Sequence, residues 1–456
     1  MSVIAPKFKL SEFIRSILDN VFWIIVLATL AGIPLIQIIL FYVPLPVIDG
    51  ELVNPFLALT WLADPSRTLP MVHALMNSDI FRVAVFPGFG FAALLAAATI
   101  FVERKMLAKM QLRVGPFYCG KVEGILQLMG DGLKLISKEI IIPAKADKPL
   151  FIAAPLLFIG TAAAFVALLP VAPNWVVADV DVGLVAVFAV IGFFPIITML
   201  LAWSANSKFP FIGGIRALHQ MISFEIPLIL SCLGVVILTG TLNLSEIAAS
   251  QAFLPWLILL PIGGIVFFIC ALAELERIPF DLPEAESEIV AGWLTELSGM
   301  MYGLVQLGSY VKLYAFAALF VVLFLGGWSG PQIVPPFPEE IITEGIDAGP
   351  VIIQIQGLPL FTAEMLNAVL WFVLKTAGVI FFILLPRGVF PRIRIDMLLE
   401  IGWFKLIGLA FVNIFMALGI LYAVQDPAAF FQQGIMNIFI AQHMPLPEAV
   451  GLGGVL

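Results

Sequence analysis

Seven acidic residues, Glu274, Glu276, Asp281, Glu284, Glu286, Glu288 and Glu296, crowd into positions 274–296, with Arg277 as the single base among them. Carboxylates held together in a poorly solvated loop repel one another, so some bind protons more tightly and the set titrates as a coupled group near neutral pH. Pro279 and Pro283 exclude a plain helix over 278–284. A solvated acidic loop is the plainer reading. It fits poorly here, because the stretch separates two apolar runs and lies on a side that is otherwise basic. Glu225 is a second candidate: it opens another apolar run, with Arg216 and His219 upstream, and a glutamate there can hold and release a proton. A third is Glu103, followed by Arg104, Lys105, Lys109 and Arg113. A basic membrane anchor accounts for the lysines and for Arg104, but not for the acid. Lys312 and Lys375 fall inside apolar runs, where a charge costs at least ~2.5–3.5 kcal/mol and marks either an ion path or a cross-helix pair. His73 and His443 read as surface residues.

The elements that position these groups follow from composition. Of 456 residues, 61% are hydrophobic and 12% charged, with mean hydropathy +1.09. Soluble domains carry about 25% charge, so soluble, disordered and disulfide-stapled classes are excluded. The apolar runs are continuous rather than alternating, which predicts an all-α polytopic membrane protein rather than a barrel. Nine spans are expected, at 21–43, 81–102, 150–170, 181–203, 219–240, 255–273, 303–327, 366–386 and 404–424. The first is read as a retained helix, because Tyr42-Val43-Pro44-Leu45-Pro46 offers no small-residue cleavage site. Gly120 to Glu139, with Asp131 and Lys134 among apolar residues, predicts an amphipathic helix lying at the membrane surface. No internal repeat supports an inverted-repeat transporter.

Alternating loop assignment puts 19 of the 23 Lys and Arg residues on one side. That side is expected to be cytoplasmic, with the amino terminus inside and the carboxy terminus outside a prokaryotic inner membrane. Residues 1–80, 331–365 and 425–456 read as additions to a membrane core: an extra helix with an outer loop, a proline-bearing insertion with a short strand at 351–355, and a tail with an interfacial helix at 428–444. Net charge −8 argues against nucleic acid as a partner, and three widely spaced cysteines cannot ligate a four-cysteine cluster. Redox centres, if any operate here, are expected in other chains, and no metal site is expected in this one.

The strings ERKMLAKMQLRVGP, LQLMGDGLKLISKE, GGIRALHQMISFEIP, AELERIPFDLPEAESEIVAGWLTELSG and LPRGVFPRIRIDMLLEIGWFKL are similar to the membrane protein joining the two arms of respiratory complex I. This family comprises the H subunit of bacterial NADH–quinone oxidoreductase and its counterpart in the mitochondrial enzyme. The resemblance covers roughly 81–424 and implies a tilted bundle of eight core helices. It implies a quinone chamber shared with the peripheral arm, and a chain of carboxylates leading to proton-pumping subunits. FMN and iron–sulfur clusters would belong to partner subunits, with quinone as the substrate. Carried over by motif, Glu103 and Arg104 match a pair at the chamber entrance, and Arg113, Asp131, Lys134 and Glu139 match the surface-helix motif. Arg216 and Glu225 match the family's arginine and membrane glutamate. Arg277, Asp281, Glu284, Glu286 and Glu288 match the loop beside the quinone, and Glu296 matches the glutamate preceding Ser298-Gly299. Two departures stand out. Phe117-Tyr118-Cys119 replaces the Asn-Arg-Val of many members, and Ser309-Tyr310 replaces a Glu-Tyr pair, with Lys312 two residues on.

The resemblance points to the quinone-chamber and coupling component of a complex I-type enzyme. Three rivals remain at this point: the equivalent anchor of a membrane-bound hydrogenase or of a ferredoxin- or deazaflavin-driven dehydrogenase, a free-standing proton or cation transporter, and a passive anchor for a peripheral enzyme.

Overall fold

A computed structural model describes residues 79–425, apart from 120–123, 174, 253, 285 and 334–362. The extra first span, the strand at 351–355 and the tail helix fall outside the described residues. Among those described, all regular structure is helical, with a lone bridge between Ala172 and Trp175.

Among the described residues, seven helices are long and apolar enough to cross a membrane, and an eighth apolar helix, Pro261–Glu274, is shorter. Together they occupy the eight spans expected between 81 and 424. We label the principal helices α1 (Phe89–Met110), α2 (Gln127–Ser137), α3 (Lys148–Ala167), α4 (Gly183–Ile191), α5 (Phe193–Ser204), α6 (Lys208–Thr239), α7 (Pro261–Glu274), α8 (Gly299–Phe324), α9 (Ala363–Leu384) and α10 (Ile407–Gln425). Helices α4 and α5 form one span with a break at Gly192.

Two lengths matter for the site. Helix α6 starts at Lys208, well before the expected 219, because Ser207 is extended and Pro210 sits in the first turn, where a helix tolerates proline. Its 32 residues span about 48 Å at 1.5 Å per residue, more than the ~30 Å hydrocarbon core. That excess length is enough to carry the turns bearing Arg216 beyond the apolar slab. Helix α7 is the opposite case. Leu260 separates it from the single turn Trp256–Leu259, and its 14 residues cover only about 21 Å. The acidic loop consequently begins inside the bundle, and Glu274, Glu276, Phe280 and Leu282 are all buried.

The core is built on α8, whose residues Tyr310 to Phe324 are buried without exception. A helix that is apolar on every side must be surrounded, and α8 is enclosed by α1, α3 and α9, while α6 packs against α5, α7 and α10. Lys375 on α9 donates to the carbonyls of Leu325 (2.7 Å), Gly327 (3.2 Å) and Ser329 (2.6 Å). Instead of a salt bridge between helices, the described bonds of this lysine cap the carboxy-terminal end of α8, where a cation complements the helix dipole.

The surface helix begins at Gln127 rather than at Gly120. It rests on α1 and α8 and leaves Met129, Leu133 and Ile136 exposed, a stripe at helical spacing for an apolar environment.

Candidate functional site

Glu103 sits in the last two turns of α1 and is 2% exposed. A charge so placed requires partners, and it has three. It accepts from Arg277 Nη1 at 2.7 Å, from the Tyr310 hydroxyl at 2.7 Å, and from Arg387. The Arg277 guanidinium also stacks 4.8 Å above the Tyr310 ring. The cluster ties together α1, the acidic loop, α8 and the segment that follows α9. Glu103 and Arg104 were expected as a pair at a chamber entrance, but the structure separates them. Glu103 turns inward, and Arg104 pairs with Asp131 of the surface helix, which Gln127 Nε2 also reaches at 3.1 Å. Arg113, Lys134 and Glu139 are exposed, and Arg113 donates to Gln111 at 2.7 Å.

The acidic loop folds against the bundle instead of projecting into water. Asp281 pairs with Arg392 at 2.9 Å, and Glu288 pairs with Arg216 at 2.5 Å. Gln220 on α6 donates to the carbonyls of Ala273 and Phe280, both at 2.7 Å, so one buried amide stitches the start of the loop to α6. Gly292 closes the return, with φ +54°; a Cβ there would collide with the Pro283 carbonyl oxygen, which only glycine avoids. Glu284 and Glu296 are half-buried. Glu286 opens the single turn Glu286–Ile289, and its side chain lies outside the described residues.

Burial, then repulsion from Glu284, pushes the Glu276 carboxyl up to about 8, against the opposing pull of Lys312 and of the Trp293 indole N–H at 3.2 Å. Burial likewise raises Asp281, and the Arg392 guanidinium offsets part of that rise. Arg277 is held more firmly protonated, because burial is outweighed by Glu103 and Tyr310. Burial is thus the first cause of the raised Glu276 carboxyl, and repulsion from a neighbouring carboxylate the second.

Glu225 is half-buried on α6. Its carboxylate fills the break in the neighbouring span, where a Cβ on Gly192 would come 3.1 Å from Oε1. Arg216 does not serve it: nine residues along a helix is about 13.5 Å, and Arg216 reaches Glu288 instead. The cation beside Glu225 is Lys312.

Sequence analysis singled out Lys312 but not its partner, and passed over Arg387, Arg392, Tyr310, Gln220 and Trp293 as site residues. The available signals were a lysine inside an apolar run and two arginines just after one. A cleft of about 620 Å³ bounded by Lys145, Asp147, Trp203, Asn206, Lys208 and Phe211 lies apart from these clusters. Among the described residues no group of three or more His, Cys, Asp or Glu is placed to hold a metal.

The family described as NADH dehydrogenase has a model that matches residues 83–418. The H subunit of NADH-quinone oxidoreductase from Bacillus cytotoxicus is 41% identical over 353 residues, covering 76% of this chain and 97% of that protein. The H subunits from Bacillus thuringiensis and Bacillus cereus are each 40% identical over 353 residues, with the same coverage. The chain thus belongs to the H-subunit family of NADH-quinone oxidoreductase, the multi-pass membrane components of complex I.

Proposed function

We propose that this chain forms part of the quinone-binding chamber together with the peripheral arm, and that it couples quinone reduction to proton translocation. The observation that carries the reading is the acidic loop docked into the bundle. It holds a buried carboxyl, Glu276, that burial pushes up to about 8, and its Arg277 is bonded to the buried Glu103 of α1. A change of charge near Asp281 and Glu288 acts through Arg392, Arg216 and Arg277 on three different elements. Glu225, Glu296, Glu284 and Glu286 are the further carboxylates of this path.

The exposed stripe Met129, Leu133 and Ile136 suits a wall where a lipid-soluble quinone enters sideways, with Arg104, Arg113 and Asp131 at its rim. Electron carriers, FMN and iron–sulfur clusters among them, are assigned to partner subunits. The bonded clusters join segments that charge asymmetry places on one side, and we assign that side to the cytoplasm.

The test is Glu225→Gln in the assembled complex. Quinone reduction persists while proton translocation falls at least severalfold. Undiminished electron transfer together with undiminished translocation would remove Glu225 from the path.

A further inference from the structure

Lys312 is the one Lys, Arg, Asp or Glu in α8, and its side chain is 3% exposed. A charge at that depth is tolerated only with close partners. Its ammonium donates to the Glu274 carbonyl at 2.6 Å and to Glu274 Oε2 at 3.4 Å, and it lies 4.3 Å from the Phe194 ring centroid and 5.8 Å from that of Phe316. Aromatic faces hold a cation without offering it a proton acceptor. Glu274 is 1% exposed, and its second oxygen, Oε1, is buried with no hydrogen-bond partner. An unmade bond to a buried carboxylate oxygen is costly, and a proton on Oε1 lowers that cost. Lys312 also lies close enough to act electrostatically on Glu225 of α6 and on Glu276 of the loop. It thus stands among the membrane glutamate, the end of α7 and the acidic loop.

We propose that Lys312 is the positioning cation of the lateral proton path, pairing with Glu274 at the end of α7 and linking the acidic loop to Glu225 through its charge. The inference rests on the coupling role proposed above. The O–H bond of a protonated loop carboxyl, Glu276, breaks, leaving a carboxylate there, and its proton forms an O–H bond at Glu274 Oε1. The pair then changes from neutral to a net charge of plus one, and the ammonium, relieved of its nearest counter-charge, stabilises the Glu225 carboxylate instead. No atom of Lys312 is exchanged in this step. Its charge decides which glutamate carries the proton.

The experiment measures protons translocated per electron by the assembled complex in membrane vesicles, for Lys312→Met, Lys312→Arg and, in parallel, Glu225→Gln. Lys312→Met retains electron transfer and lowers the ratio at least twofold, whereas Lys312→Arg, which keeps the charge, stays near the wild-type ratio. An unchanged ratio in Lys312→Met, or an equal loss in Lys312→Arg, overturns the proposal. If Lys312→Met does not assemble, the double variant Glu274→Gln/Lys312→Met removes both charges. Assembly with a lowered ratio supports the proposal, while a wild-type ratio or failure of that variant to assemble overturns it, the latter by making the pair a requirement of folding. A lowered ratio in Glu225→Gln alone removes Lys312 and leaves the coupling reading intact. Unchanged ratios in both remove the coupling reading itself.

Discussion

Arg277 donates to Glu103 across 2.7 Å, joining the acidic loop to the end of the first described span through a buried ion pair. Arg387 completes the pair from the other side, so the loop is anchored to the bundle at its only base. Breaking a buried pair from one side leaves an uncompensated charge and costs about 3–5 kcal/mol. Arg277→Met is therefore expected to lower the thermal stability of the assembled complex sharply, and Arg387→Met, whose side chain is more exposed, to do so less. Differential scanning of the purified complex checks this, and equal effects would argue against Arg277 as the main anchor.

The loop should impose a pH dependence on stability. The folded Glu276 carboxyl binds its proton more tightly than an unfolded one, up to about 8 against 4.5. Between those values the folded state holds more protons, so its stability falls as pH rises and levels off above about 8. Glu276→Gln, which keeps an acceptor for Trp293, removes that slope and is more stable than wild type at pH 9 but not at pH 4. Melting temperatures of both complexes across this range are the measurement. A difference between them that does not vary with pH contradicts the assignment.

Asp281 and Arg392, 2.9 Å apart, hold the outer part of the loop to the segment after α9. A double-mutant cycle with Asp281→Asn and Arg392→Met should give a coupling energy of about 0.5–3 kcal/mol, the range for residues in one charge network. Additive effects would mean that the two act separately.

How much of this was legible in the sequence depends on the distance over which each signal acts. The eight core helices were readable because an apolar run is a local property. Their limits were less so: α6 extends back to Lys208 because a polar turn can stay helical beyond the membrane, and α7 starts only at Pro261 because Leu260 interrupts the run. The crowding of carboxylates at 274–296 was visible in the sequence. Their partners were not, since Glu103 lies 174 residues from Arg277 and 284 from Arg387, and no local pattern encodes such pairs. Arg216 illustrates the error this produces. Nearness in sequence assigned it to Glu225, whereas the length of the helix between them directs it to Glu288.

The central claim is that carboxylates change protonation when quinone is reduced. Redox-induced infrared difference spectroscopy of the assembled complex reads this directly, through the carbonyl stretch of protonated carboxyl groups. Reduction of quinone is predicted to produce a carboxylic-acid band that is diminished in Glu225→Gln and in Glu276→Gln. A spectrum with no carboxyl band, or one identical in wild type and both variants, would contradict the account.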